Sequence, residues 1–315
     1  MYIITANKTM VNYFIIKGIS DLPELQLLIF LLVLLLYLII LGGNLSILLL
    51  VCLDSQLKTP MYFFLGNLSI LDVSSATVTL HKIFFSYITG DKTVSFIGCM
   101  AQVYVFASFT SQELLLLTAM SYDRYVAICK PLHYHIVMTP RVCIILALFC
   151  WVWGFLQVLP PVYILANFSC YLSNVLNHFF CDFASLMKLS CSDTGVLVLL
   201  NLTEGLLVST LTPFILTFIS YVFIIISILK IQTSAGRHKA FYTCSSHLTV
   251  VVLLYIILTC QYLVPNSKST VDLNKHYSLF NTMAIPMMNP LIYSLKNKDV
   301  KSAIQRRLRL WRLNA

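Results

Sequence analysis

Charge is what this sequence has least of. Asp, Glu, Lys and Arg make up 10% of its 315 residues, against 59% hydrophobic residues. A soluble domain covers its surface with roughly 25% charged residues, so the composition excludes a water-soluble globule. No charged residue occurs from Leu25 to Leu53, and none from Ala240 to Ser267. Also missing is the polar–apolar alternation over roughly ten residues that marks the strands of a membrane barrel. No cleavable signal is expected, because the first twenty residues are polar and the first apolar run is too long for a signal core. There is no low-complexity linker and no internal repeat, which leaves a single domain.

What is there instead is a set of long apolar runs. A spanning helix needs roughly 20 apolar residues, and seven segments qualify: 25–51, 59–80, 97–122, 142–165, 196–229, 240–263 and 273–295. The expected fold is an all-α membrane protein, a seven-transmembrane helix bundle over 25–295. Residues 1–24 form an extracellular N-terminus and 296–315 a cytoplasmic tail. The orientation comes from Lys and Arg, which accumulate on the cytoplasmic side. Fourteen of the 21 fall on the side that holds Lys58, Arg124, Lys130, Arg237 and the tail, and seven on the other. The net charge of +9 thus reads as a basic inner face meeting anionic lipid rather than as a nucleic-acid surface. In the tail, Val300, Ala303, Ile304, Leu308 and Trp311 recur at helical spacing with basic residues opposite. That pattern predicts a short amphipathic helix lying along the inner leaflet.

The orientation sorts the cysteines. Cys99, Cys170, Cys181 and Cys191 face the oxidising side, where disulfides persist. Four cysteines allow three pairings; the expected one joins Cys99 to Cys181, pinning the longest loop over the bundle, and Cys170 to Cys191, closing that loop on itself. The set His178, Cys181 and Cys191 fits no zinc spacing well. Asn7, in Asn7-Lys8-Thr9, is the best-placed glycosylation acceptor because it lies outside.

Charges inside the spans are few, and function is the default suspicion for each. Asp123 and Arg124 sit in the run MSYDRYVAICKPLHY, where an almost uncharged helix meets a basic loop. Such a pair is worth little when solvated and more when dry, which suits a bistable element. Asp72 and Glu113 are carboxyls with no Lys or Arg at similar depth in their own helices. Either one carries a proton or a cation sits between them, with Asn44 and Asn289 as polar neighbours. No other metal or cofactor is expected.

Several motifs then follow one another along the chain. They are Gly43-Asn44; Pro60-Met61-Tyr62-Phe63-Phe64-Leu65 with Asp72; Ser121-Tyr122-Asp123-Arg124-Tyr125; Ser220-Tyr221; Cys244-Ser245-Ser246-His247-Leu248; and Asn289-Pro290-Leu291-Ile292-Tyr293. A lone DRY triplet would be weak, but in this order the set is specific. On these residues, over nearly its whole length, the chain resembles the rhodopsin-like G-protein-coupled receptors and, within them, the olfactory (odorant) receptors.

The resemblance implies a plasma-membrane receptor that binds a small hydrophobic odorant outside and a heterotrimeric G protein inside. The G protein would be of the stimulatory, cAMP-raising type. It implies a switch made of Asp123, Arg124, Tyr125, Tyr221, Asn289, Pro290 and Tyr293, and it implies sodium as the cation that would sit between Asp72 and Glu113, a protonated carboxyl pair being the rival. It also implies an outer pocket. Helical spacing puts Phe106, Ala107, Thr110 and Ser111 on one face of the third helix. Expected partners are Gly205, Leu206 and Ser209 from the fifth; Tyr255, Leu258, Thr259 and Tyr262 from the sixth; and Leu279 and Thr282 from the seventh. Such a lining, apolar with a few hydroxyls, suits a molecule oriented by one or two hydrogen bonds. Phe106 stands near where amine-hormone receptors carry an Asp, which argues against a classical amine ligand. Glu204 is expected to face the membrane interface. The chain departs from the family at Leu254-Tyr255-Ile256, commonly Phe-Tyr-Gly, and at His81-Lys82, where Pro usually precedes Lys; its Cys170–Cys181 segment is one residue longer than usual.

Other functions find little support. A transporter or channel calls for inverted repeats or broken helices paired between halves, and neither is visible. An enzyme built on Asp72 and Glu113 would need a metal cluster, nucleophile motif or cofactor loop beside them, and none accompanies them.

Overall fold

The computed structural model describes residues 11–20, 22–263, 271–296 and 298–314. Its long helices are α1 Pro23–Leu53, α2 Pro60–Thr89, α3 Phe96–Cys129, α4 Pro140–Ala166, α5 Gly195–Leu229 and α6 Ser234–Leu263. α7 runs through Val271–Leu279, Phe280–Ala284 and Ile285–Lys296, and α8 is Lys298–Asn314. Among the described residues, α1 to α5 are long and apolar enough to cross a membrane. α6 is a sixth if its two parts, bent by 42° between Tyr242 and Cys244, count as one span.

Helix starts follow local chemistry. Pro23, Pro60 and Pro140 occupy first turns, where the missing N–H costs nothing. Ser95 and Thr139 accept from the backbone N–H of Gly98 and Val142. α2 stops at Gly90, whose φ of +74° is the left-handed conformation that glycine adopts freely at a helix end. Several helices outrun their expected limits. α3 continues to Cys129 rather than residue 122, and α2 to Thr89 rather than 80. Apolar runs mark only the stretch inside lipid, whereas the backbone keeps its hydrogen bonds beyond it.

Wide apolar faces stay uncovered, notably on α1 and α5, where Leu, Ile and Phe side chains line the outside. Surface of that kind calls for lipid. Inside, the helices are tied by polar side chains that satisfy one another. Trp151 Nε1 donates to Asn67 Oδ1 at 3.0 Å, and Gln112 Nε2 to the Trp151 carbonyl at 3.1 Å. Asn44 Nδ2 donates to the Pro286 carbonyl at 2.9 Å, joining α1 to α7. Beside it, a Cβ on Gly43 would lie 2.8 Å from Pro290 Cγ, so the close approach of α1 to α7 requires glycine.

The end of the bundle that the charge count places outside carries a small sheet, which a helix-only expectation leaves out. β1 (Tyr13–Ile16) pairs antiparallel with β2 (Thr93–Ser95) and parallel with β3 (Val175–Leu176), in the order β2-β1-β3. Phe14 is fully buried against Phe96 and Tyr171. Disulfides Cys99–Cys181 and Cys170–Cys191 fix the long loop beside this sheet.

Candidate functional site

A cavity of about 150 Å³ opens between α3, α4, α5, α6 and the long loop. It brings together Phe106, Ala107, Thr110, Ser111, Gly205, Ser209 and Leu258, with Gln157, Asp182, Asn201 and Glu204 beside them. The long loop closes over it. Cys181 N–H donates to Gln102 Oε1 at 2.9 Å, and Phe180, fully buried, sets its ring 4.9 Å from that of Phe106. His178 is wedged between the rings of Phe179 and Phe180 at 4.8 and 4.7 Å. Burial holds its pKa below the ordinary 6.5, with Lys275 pulling the same way and Asp182 opposing.

Other expected lining residues stand elsewhere. Leu206 is 39% exposed on the outside of α5. The cause is a π-helical stretch, Asn201–Leu211, inside that helix. Its wider turns let hydroxyls reach carbonyls five residues back: Ser209 to Glu204 at 2.5 Å, Thr210 to Gly205 at 2.9 Å and Thr212 to Leu207 at 3.0 Å. α-Helical spacing misphases this segment, and Glu204 turns to the cavity rather than to the interface. Tyr255 packs edge-on against Phe214 at 5.0 Å and donates to the Thr210 carbonyl at 3.4 Å. With Thr259 it lines a separate groove between α5 and α6. Leu279 packs with the α1–α2 cluster, and Thr282 donates back to Ser278 at 2.9 Å, just where α7 carries its own π stretch, Phe280–Ala284. Ile256 is 53% exposed, so the departure from Gly there points away from the cavity. The side chains of Tyr262 and Tyr293, and all of Asn7, lie outside the described residues.

Phe106, Thr110 and Asn281 each line the outer cavity and also a second, small one of about 10 Å³. The second holds Asp72, Glu113 and Ser75. Asn289 Nδ2 donates to both oxygens of Asp72, at 3.1 and 2.9 Å, while Glu113 Oε1 is buried with no hydrogen-bond partner. Two buried carboxyls in one small space need a proton or a cation between them. The oxygens of Asp72, Glu113 and Ser75 form a hard-donor set of the sort sodium takes. Among the described residues no group of three His, Cys, Asp or Glu is placed to hold a metal ion.

At the end that the charge count places in the cytoplasm, Arg124 Nη2 and Nε donate to Asp123 Oδ2 at 2.5 and 3.0 Å. Tyr134, in the short helix Tyr134–Val137, donates its hydroxyl to Asp123 Oδ1 at 2.8 Å. Burial and the neighbouring Asp123 push the Tyr134 hydroxyl well above its usual pKa. Tyr125 lies between the Phe223 ring at 6.0 Å and the Lys130 ammonium at 5.9 Å. Spacing alone did not mark His247, which is fully buried. Its Nε2 donates to the Leu117 carbonyl on α3 at 3.0 Å, and its Nδ1 lies 2.7 Å from the Tyr221 hydroxyl on α5. One side chain of α6 thereby grips both neighbours. The signal was present in the CSSHL motif as a polar residue deep in an uncharged helix.

α8 is clasped to the loop after α1. Arg306 Nη2 donates to Asp54 at 2.8 Å, and that hydrogen bond keeps the Asp54 carboxyl below the usual carboxylate range. Val300 and Ala303 of α8 are buried, and Tyr62 donates to Asp299 at 3.1 Å. In the connection between α3 and α4, Leu132 is 90% and Ile136 73% exposed, an apolar pair that residue spacing did not single out.

Comparison with known proteins bears on both ends. A family model described as olfactory receptor matches residues 33–310. Human olfactory receptor 6C3 is 44% identical over 299 residues, covering 95% of this chain and 96% of that protein. Human olfactory receptor 6C74 is 45% identical over 299 residues, with the same coverage. Mouse olfactory receptor 5AR1 is 42% identical over 302 residues, 95% of this chain and 96% of the relative.

Proposed function

Because the chain belongs to the olfactory receptor family, whose members are odorant-sensing G-protein-coupled receptors and not enzymes, we propose that it joins an outer odorant site to a cytoplasmic G-protein switch through seven spans. The G protein is of the stimulatory type and the output is cAMP. The N-terminus is extracellular, α7 is the seventh span, and α8 lies on the inner leaflet of the plasma membrane.

One observation carries this reading: Phe106, Thr110 and Asn281 line both the outer cavity and the carboxyl cavity beneath it. An odorant touching that wall acts on Asp72 and Glu113, and through Asn289 on α7. A sodium ion held by the pair would favour the packing in which α2, α3 and α7 stay close. At the far end, Arg124 is occupied by Asp123, and α6 is held by the His247 contacts to Leu117 and Tyr221. This is the closed arrangement. Odorant binding shifts the equilibrium toward the open one only by its differential affinity for the two. When α6 moves out, Arg124 and the exposed Leu132 and Ile136 become the surface a G protein meets.

Arg124→Ala is expected to abolish odorant-evoked cAMP while surface expression stays measurable. A cAMP reporter screen against a diverse volatile panel, with surface labelling in parallel, tests this. Undiminished signalling by the variant contradicts it.

A further inference from the structure

We infer that the outer cavity takes a small amine: a mostly apolar molecule with a protonated nitrogen beside a hydrogen-bond-accepting oxygen. This rests on reading that cavity as the ligand site. Three side chains that line it each carry a buried polar atom without a hydrogen-bond partner: Oε2 of Glu204, Nε2 of Gln157 and Oγ of Ser111. Each such atom costs about 1–3 kcal/mol if left unpaired. Three in one cavity describe a site completed from outside the chain.

The types of the three atoms define the visitor. Glu204 offers only an acceptor, so it calls for a donor. A carboxyl in a membrane helix is costly unless paired or protonated. Among the described residues lining the cavity, the ionisable side chains are the acids Asp182 and Glu204, with no Lys, Arg or His. The wall offers Glu204 no cation, and an ammonium on the ligand supplies charge and donor together. Gln157 is held the other way round. Its Oε1 lies 3.0 Å from the Ser209 hydroxyl, which itself sits 2.5 Å from the Glu204 carbonyl. The one hydroxyl proton of Ser209 is shared between these two oxygens, while the Gln157 NH₂ has no partner and is left to donate to an acceptor on the ligand. The remaining wall, with Phe106, Leu114, Val158 and Leu258, is apolar and takes a hydrocarbon body. The acid that reads the amine comes from the π stretch of α5, not from α3.

The test uses the full-length receptor, purified and placed in lipid nanodiscs. Thermal-shift and competition binding are measured with primary alkylamines, alkoxyalkylamines, and alcohols and carboxylic acids of matched length. Amines should bind, those with an ether oxygen more tightly, and acids should not. Glu204→Gln should weaken amine binding about ten- to a hundredfold, and Gln157→Leu should remove only the advantage of the ether oxygen. Unchanged amine affinity in Glu204→Gln overturns the inference, as do alcohols or acids that bind the wild type as well as amines. If Glu204→Gln does not fold, the wild-type preference between amine and matched alcohol decides. cAMP, recorded in parallel, separates the two readings. Glu204-dependent amine binding with no cAMP response counts against G-protein coupling alone. An Arg124-dependent response to non-amines that ignores Glu204 counts against the amine alone.

Discussion

At the scale of single residues, the proposed switch is a carboxylate with two donors. Asp123 is fully buried and takes Arg124 on one oxygen and Tyr134 on the other. Removing the Tyr134 hydroxyl leaves Oδ1 without that donor and destabilises the closed arrangement by about 1 kcal/mol, the net worth of one hydrogen bond. Tyr134→Phe should therefore raise basal cAMP per surface receptor about severalfold; an unchanged or lower basal level would count against the closed-latch role. At the outer end, His178 makes a different prediction. Its folded pKa lies below the ordinary 6.5 because it is buried, so the folded loop binds fewer protons than the unfolded one. The stability it contributes is complete above 6.5 and lost as pH falls through that value toward the folded one. The protection factor of the long loop, taken relative to the intrinsic exchange rate at each pH, should fall as pH drops below 6.5, and His178→Gln should flatten that dependence.

At the scale of elements, the helices were legible and their phases were not. Uncharged runs such as Leu25–Leu53 announce spans because lipid forbids unpaired charge there. The DRY-centred run placed Asp123 and Arg124 correctly at an end of α3, with Arg124 donating to Asp123. Reading faces from α-helical spacing worked on α3, where Phe106, Ala107, Thr110 and Ser111 share a wall. On α5 it placed Gly205 and Ser209 in the cavity but misread Leu206, which faces out, and Glu204, which faces in, both inside the π stretch Asn201–Leu211; on α7, which has its own π stretch, Leu279 and Thr282 stand elsewhere. Nothing in local composition announces a π turn; it emerges from packing. The β1 strand was equally hidden, since Tyr13–Ile16 is too short to show periodicity. The α1–α7 seam shows what packing demands of one position. A Cβ at Gly43 would meet Pro290 Cγ at 2.8 Å, and overpacking of that kind costs about 1–3 kcal/mol. Gly43→Val should lower the melting temperature and surface level of the receptor, whereas a wild-type melting curve would mean that α7 has room to move.

At the scale of the whole molecule, the proposed function gives the two ends separate tasks through a shared middle. The outer end is stapled by Cys99–Cys181 and Cys170–Cys191 and roofed by Phe179 and Phe180. The opposite end is held by single polar contacts, Arg124 to Asp123 and His247 to Leu117 and Tyr221. A rigid outer frame with an easily parted inner end is what a transmitted opening requires, because interfaces of this kind are bistable rather than continuously deformable. The distance between probes at Lys130 and His238, at the inner ends of α3 and α6, reports that opening directly. Measured by electron–electron spectroscopy with and without an odorant that evokes cAMP, the distance should lengthen with ligand. A distance that stays fixed while cAMP rises would contradict release of the latch as the signalling step.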